Sequence, residues 1–152
     1  MDDALVKAEE ASDVEIGSVF LSVTGSHIVG MNNTGTYRLP ENEKQIQPEH
    51  LHEAKEIAKD VHISPDHVCL HNILRSYRVD GFEHSSSPVG LFGKTLEVDF
   101  HVVAGIGTRI QNSIKCVREL QVDVDDVVFA PIATAQFALD RSTRERGALL
   151  ID

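Results

Sequence analysis

The hydrophobic positions of this chain switch between helical and extended spacing, and the switches lay out its elements in order. An acidic start, Asp2-Asp3, leads an Ala-rich helical pattern through Ala8. The β-branched, apolar run Ser18 to Val23 predicts a strand, which Thr24-Gly25-Ser26 interrupts. Two short extended runs, 27–32 and 36–39, flank Asn33-Thr34-Gly35, a turn signal that predicts a hairpin. Pro48 then suits a first helical position and Glu49 the positive end of a helix dipole. Leu51, Ala54, Ala58 and Val61 recur at spacings of three and four, so a helix with one apolar stripe is predicted over 48–61.

Pro65-Asp66 breaks that helix. Residues 68–74 and 77–80 read as a bent strand ending at Gly81, and 82–93, rich in serine, glycine and proline, reads as a surface loop. The stretch 94–104 alternates cleanly: Leu96, Val98, Phe100 and Val102 take one side, Glu97, Asp99 and His101 the other. Ile110, Ile114, Val117 and Leu120 predict a helix over 108–120 with Thr108 as its cap. A strand at 127–130, an Ala-rich helix at 132–139, a polar loop and a terminal strand at 148–152 complete the pattern. Both long helices have a single apolar stripe and the central strand is one-sided. The expectation is therefore an α+β unit whose two helices pack on one face of an antiparallel sheet.

Composition narrows the function. The chain has 152 residues, 24 acidic against 14 basic, for a formal net charge of −10. No apolar run approaches the ~18 residues a membrane span needs. Folding at this length buries roughly two thirds of the chain's surface, so a core forms without metal or disulfide staples. The negative balance and the lack of a Lys/Arg-rich block argue against nucleic acid and against direct membrane contact, since both are gripped by clustered positive charge. Cys69 and Cys116 lie in apolar segments with no signal peptide ahead of them, which predicts buried, reduced thiols in a cytoplasmic protein. Ala148 to Asp152 reads as a core-type strand, an ending that suggests an excerpt from a longer protein.

Candidate chemistry is sparse. Of eight histidines, His50 and His52 point about 200° apart on a helix and cannot chelate together. His67 and His71 would lie ~13 Å apart on a strand. Cys69 and His71 share a strand face but lack further ligands, so no metal site is expected. Gly105-Ile106-Gly107 before Thr108 has the general layout of an anion-binding strand-to-helix turn. Ile110 stands where a third glycine is needed, and no acidic ribose ligand follows ~20 residues on. Gly105, Gly107 and Thr108 thus form a weak anion-site candidate, against a plain tight connection. Asp123, Asp125 and Asp126 read as solvated ends of an edge strand. No nucleophile elbow or acid–base pair is evident, and no catalytic residue is assigned.

Several runs resemble a known family. They are Val19 to Ile28 with Gly25-Ser26-His27-Ile28 at its end, Tyr77-Arg78-Val79-Asp80-Gly81, Pro88-Val89-Gly90-Leu91-Phe92-Gly93, 96–98 with 101–103, 111–118, Asp125 to Ala133, and 148–152. Together, and in this order, they resemble the FtsA family of bacterial cell-division proteins. The family-motif positions carried over are Gly25, Ser26, His27, Ile28, Asp80, Gly81, Pro88, Gly90 and Gly93. The resemblance implies an actin-like, ribonuclease H-like parent fold carrying an inserted SHS2-type subdomain, 1C. On that basis 26–121 corresponds to subdomain 1C, and 1–25 and 122–152 are flanking pieces of subdomain 1A. Asp152 matches the start of the family's second phosphate loop, which is incomplete here. ATP and Mg are therefore implied for the full-length family member and no cofactor or enzymatic activity for this stretch. Leu74-Arg75 and Leu120-Gln121 depart from the family's usual proline-containing turn and glycine.

The resemblance implies a protein-interaction and polymer-contact module. Its expected partners are further copies in a head-to-tail polymer, the ring protein FtsZ, and later division proteins. The parent would act at the inner face of the cell membrane at the septum. Two other readings are a domain binding a phosphorylated metabolite through Gly105 to Thr108, and the equivalent module of a pilus-assembly relative. The apolar runs 19–23, 127–132 and 148–151 are expected to drive self-association if left uncovered.

Overall fold

The computed structural model describes residues 2–151 and divides into two compact units, 1–28 with 105–152, and 29–104. The second unit is an antiparallel sheet in the order β2-β5-β3-β4, formed by β2 (Ile28–Arg38), β5 (Thr95–Ile106), β3 (His67–Val79) and β4 (Phe82–His84), with α2 (Pro48–Lys59) against it. The alternation of β5 has the expected effect. Leu96, Val98, Phe100 and Val102 are buried in one cluster with Leu51, Ala54 and Ala58 of α2 and with Tyr77 and Val79 of β3.

The expected hairpin at 33–35 is instead the middle of one continuous strand, β2. Gly35 is there for closeness rather than turning. A Cβ at that position would run into the Ala54 carbonyl and the Ala58 backbone, so only glycine lets α2 settle on the strand. Asn33 serves the same contact, because its Nδ2 donates to the Ala58 carbonyl at 2.9 Å and satisfies one of the open carbonyls at the end of α2.

The expected loop at 82–93 also needs correcting. Asp80 (φ 50°) and Gly81 (φ 84°) form a two-residue turn that joins β3 to β4, with Val79 opposite Phe82. Left-handed backbone at both positions is what a type I′ hairpin needs. Beyond β4, Pro88 is fully buried, and the Leu91 N–H returns to the Pro88 carbonyl over Gly90 at φ 91°. That turn pairs with 44–46: the Ile46 N–H donates to the Leu91 carbonyl, and the Gly90 and Gly93 N–H groups donate to the Ile46 and Lys44 carbonyls, at 2.8–2.9 Å.

The first unit holds α1 (Asp2–Ser12), β1 (Ser18–Val23), α3 (Gly107–Arg118), β6 (Asp123–Phe129), α4 (Ala130–Ala138) and α5 (Arg141–Arg146). Strands β1 and β6 run parallel, and Asp125 is an extra residue between the Val19–Val124 and Phe20–Asp126 pairs, tied down by the Ser18 hydroxyl at 2.7 Å. Helix α3 packs beside β6. Its Val117 lines an apolar hollow of about 380 Å³ with Leu5, Ala8, Val19, Leu21 and Val122.

The α+β class stands, but the helices are shared out differently from the expected pair on one sheet. Among the described residues, the helical members of the 29–104 core cluster are Leu51, Ala54 and Ala58 of α2. Helix α3 lies with β6 in the other unit, and the contact boundary between the two units falls at 104. Thr108 lies inside α3 and does not cap it. The 148–151 run forms no strand, and Leu149 and Ile151 are exposed. The polar loop before it contains α5, capped by Asp140, whose carboxylate accepts from the Thr143 N–H at 2.7 Å. Both cysteines are exposed, contrary to expectation.

Candidate interaction surface

The nine motif positions fall into two clusters of turns. In the 29–104 unit, the Asp80 carboxylate accepts the N–H groups of Lys94 and Thr95 at 2.9–3.2 Å, and the Asp80 N–H donates to the Thr95 carbonyl at 2.9 Å. Gly93 must lack a side chain because a Cβ there would strike Val79 Cγ1. Asp80, Gly81, Pro88, Gly90 and Gly93 therefore lock one end of the sheet. In the other unit, Gly25 to Ile28 makes a turn closed by the Ile28 N–H on the Gly25 carbonyl at 3.1 Å, with Gly25 at φ 132°. The His27 carbonyl accepts from Ile106 at 3.1 Å.

The anion-site candidate meets this second cluster. Gly105 is buried in extended backbone, and a Cβ on it would lie 2.7 Å from Ile28 Cδ1 and 3.0 Å from Ile110 Cδ1. Its small size thus serves packing between the Gly25 turn and α3. Neither Gly105 nor Gly107 has the left-handed backbone that successive N–H groups need to converge on an anion. Thr108 is exposed on the first turn of α3. Asp152 lies outside the described residues.

The locked turn presents two aromatic side chains to solvent. Phe82 is 75% and Phe92 73% exposed, and with Val79, Asp80, His84 and Leu91 they line a hollow of about 370 Å³. Isolated apolar residues on a surface are ordinary, but two nearly uncovered phenylalanines on a rigid turn are the chemistry of a protein contact. Both flank the motif glycines in sequence, a signal that a loop over 82–93 obscures.

The sheet face opposite α2 is polar and internally paired. Arg78 Nε donates to Glu97 Oε2 at 2.6 Å and Nη1 meets Asp99 Oδ2 at 2.8 Å, while Ser76 and Thr34 hydroxyls also donate to Asp99. The Glu97 hydrogen bond, then the nearby carboxylates, hold the Arg78 guanidinium further above its already high pKa. Cross-strand opposite charges of this kind were readable from the alternation of β5 against β3. Near α2, His50 is buried, stacks on Tyr37 with ring centroids 5.4 Å apart, accepts the Gln47 N–H at Nδ1 and meets Glu43 through Nε2 at 2.8 Å. Among the described residues no group of three or more His, Cys, Asp or Glu could hold a metal ion, and no helix is long and apolar enough to cross a membrane.

A family model described as the SHS2 domain inserted in FTSA matches residues 25–104. The chain belongs to the FtsA family. That span takes in the 29–104 sheet unit together with the Gly25 turn leading into it. Among FtsA relatives, the cell division protein FtsA of Borreliella burgdorferi is 31% identical over 99% of this chain and 36% of its own length. The cell division proteins FtsA of Pseudomonas aeruginosa and Escherichia coli strain K12 are each 30% identical over 98% of this chain and 35% of theirs. The chain spans about a third of the length of these curated relatives.

Proposed function

We propose that this chain is the interaction and polymer-contact module of an FtsA-type protein, one that links the FtsZ ring to the membrane and recruits later division proteins. The supporting observation is the Phe82 and Phe92 pair on a turn that Asp80, Gly81 and Gly93 hold rigid. Pre-organisation of this kind lowers the ordering cost of binding. In this reading the flanking unit belongs to the actin-like subdomain 1A, nucleotide and Mg are handled by the full-length protein, and the site of action is the inner face of the membrane at the septum.

The competing metabolite-binding reading places its ligand at Gly105 to Thr108, where packing against Ile28 and Ile110 leaves it no supporting geometry. A thermal-shift screen with ATP, GTP and sugar phosphates separates the two. A ligand at ~100 times its dissociation constant adds ~2.7 kcal/mol. The interaction reading expects no shift; a shift abolished by Thr108→Ala, at an exposed position of the candidate turn, would replace it with the metabolite reading.

A further inference from the structure

We propose that the outer edge of β2 pairs antiparallel with β2 of a second copy of this chain, about a two-fold axis at Thr34. Strand β2 is the edge of its sheet. Bonds at its two ends, Leu39 N–H to the Lys94 carbonyl and Ile106 N–H to the His27 carbonyl, fix which residues face β5. Odd-numbered positions of β2 bond inward, so Gly30, Asn32, Thr34, Thr36 and Arg38 direct their N–H and C=O groups outward. Edges are normally blunted by proline, lysine or inward charge. The β2 sequence has no proline or lysine, and its one charge is Arg38 at the end.

The side chains select the occupant. With Thr34 opposite Thr34, the α2 side of the seam sets Asn33 against Gly35 at its centre, then Met31 against Tyr37 and Val29 against Leu39, four hydrophobic side chains only partly covered within one copy. The other side sets Asn32 against Thr36 and Gly30 against Arg38, so no like charges meet. Above the seam, Lys55 Nζ lies 5.8 Å from the Tyr77 ring, which fixes one flank of α2 over β3. Ile57, about 160° round the helix from Lys55, therefore overhangs the free edge of β2, and it is 45% exposed. A basic peptide would find no charge to pair with on this edge. A second copy brings a matching row of apolar and neutral groups. Such an isologous contact closes at a dimer, whereas head-to-tail contacts grow.

Because each copy carries a net charge of −10 and the one seam charge per copy, Arg38, faces Gly30 and not another charge, added salt screens the repulsion between copies and strengthens this association. Sedimentation of the full chain across a dilution series at low and high salt reads the dimer. Hydrogen exchange on the same samples reads the edge. We expect a monomer–dimer equilibrium that tightens with salt. The amides of Asn32, Thr34 and Thr36 should slow at high concentration and speed up on dilution, while those of Met31, Asn33 and Gly35 stay protected throughout. Thr36→Pro, which removes an outward N–H and no bond to β5, should weaken the dimer ~10-fold or more, and Thr36→Val should retain it. A strictly monomeric chain, growth beyond two copies, or fast exchange of the even-numbered β2 amides at all concentrations overturns the proposal, whether or not Thr36→Pro folds.

Discussion

Gly35 and Gln121 show how one residue's meaning depends on what lies across from it. Gly35 sits in a turn-like dipeptide, but its backbone is extended and its missing side chain is the space α2 occupies. Gly35→Ala should push α2 off the sheet and cost about 1–3 kcal/mol by overpacking, seen as a lower unfolding midpoint with β2 intact. Gln121 is the reverse case. It holds φ 61° just after α3, the left-handed position at which glycine is normally found. Gln121→Gly should relieve that strain by about 1 kcal/mol net of added chain entropy, raising Tm by roughly 2–4 °C. The sequence marked 121 as a departure from the family's glycine. It could not mark Gly35, because the helix that excludes a side chain there arrives from residues 54 and 58.

At the scale of elements, periodicity located β1, α2, α3 and the buried face of β5 correctly, since each has one strong apolar period. It failed where the partner decides the outcome. Val127 to Ala130 read as a four-residue strand, but β6 begins at Asp123 because β1 offers a parallel neighbour along its whole length. The more apolar 148–151 run stays unpaired among the described residues, which shows that hydrophobicity without a neighbour does not make a strand. Helix α5 was hidden by its polarity, although Asp140 and Thr143 have cap spacing. The Thr143 N–H bond holds the Asp140 carboxyl below its ordinary value of 3.8. A lowered folded-state pKa stabilises α5 at pH above the unfolded value and ceases to do so as pH falls through the folded one. The Thr143 amide resonance should therefore titrate below pH 3.8 together with the loss of α5 helicity, and Asp140→Ala should remove both effects.

At the scale of the molecule, the sequence carried the family resemblance and the α+β class, but not the division of helices between units. An apolar stripe states that a helix must be covered and leaves open by what; α3 finds β6 rather than the sheet it follows in the chain. The interaction surface was illegible for a related reason. Phe82 and Phe92 look like core residues by type, and only the buried Pro88 turn and the Asp80 clamp explain why both remain outside. The proposed role rests on that exposure, so it is tested by titrating the chain with purified FtsZ and with peptides of the cytoplasmic segments of later division proteins. One phenylalanine buried in a partner contributes about 1.5–3 kcal/mol, so Phe82→Ser with Phe92→Ser should weaken binding at least ~10-fold while Tm is unchanged. Equal affinity of the double variant and the unaltered chain, or no binding to any of these division proteins, would contradict the account.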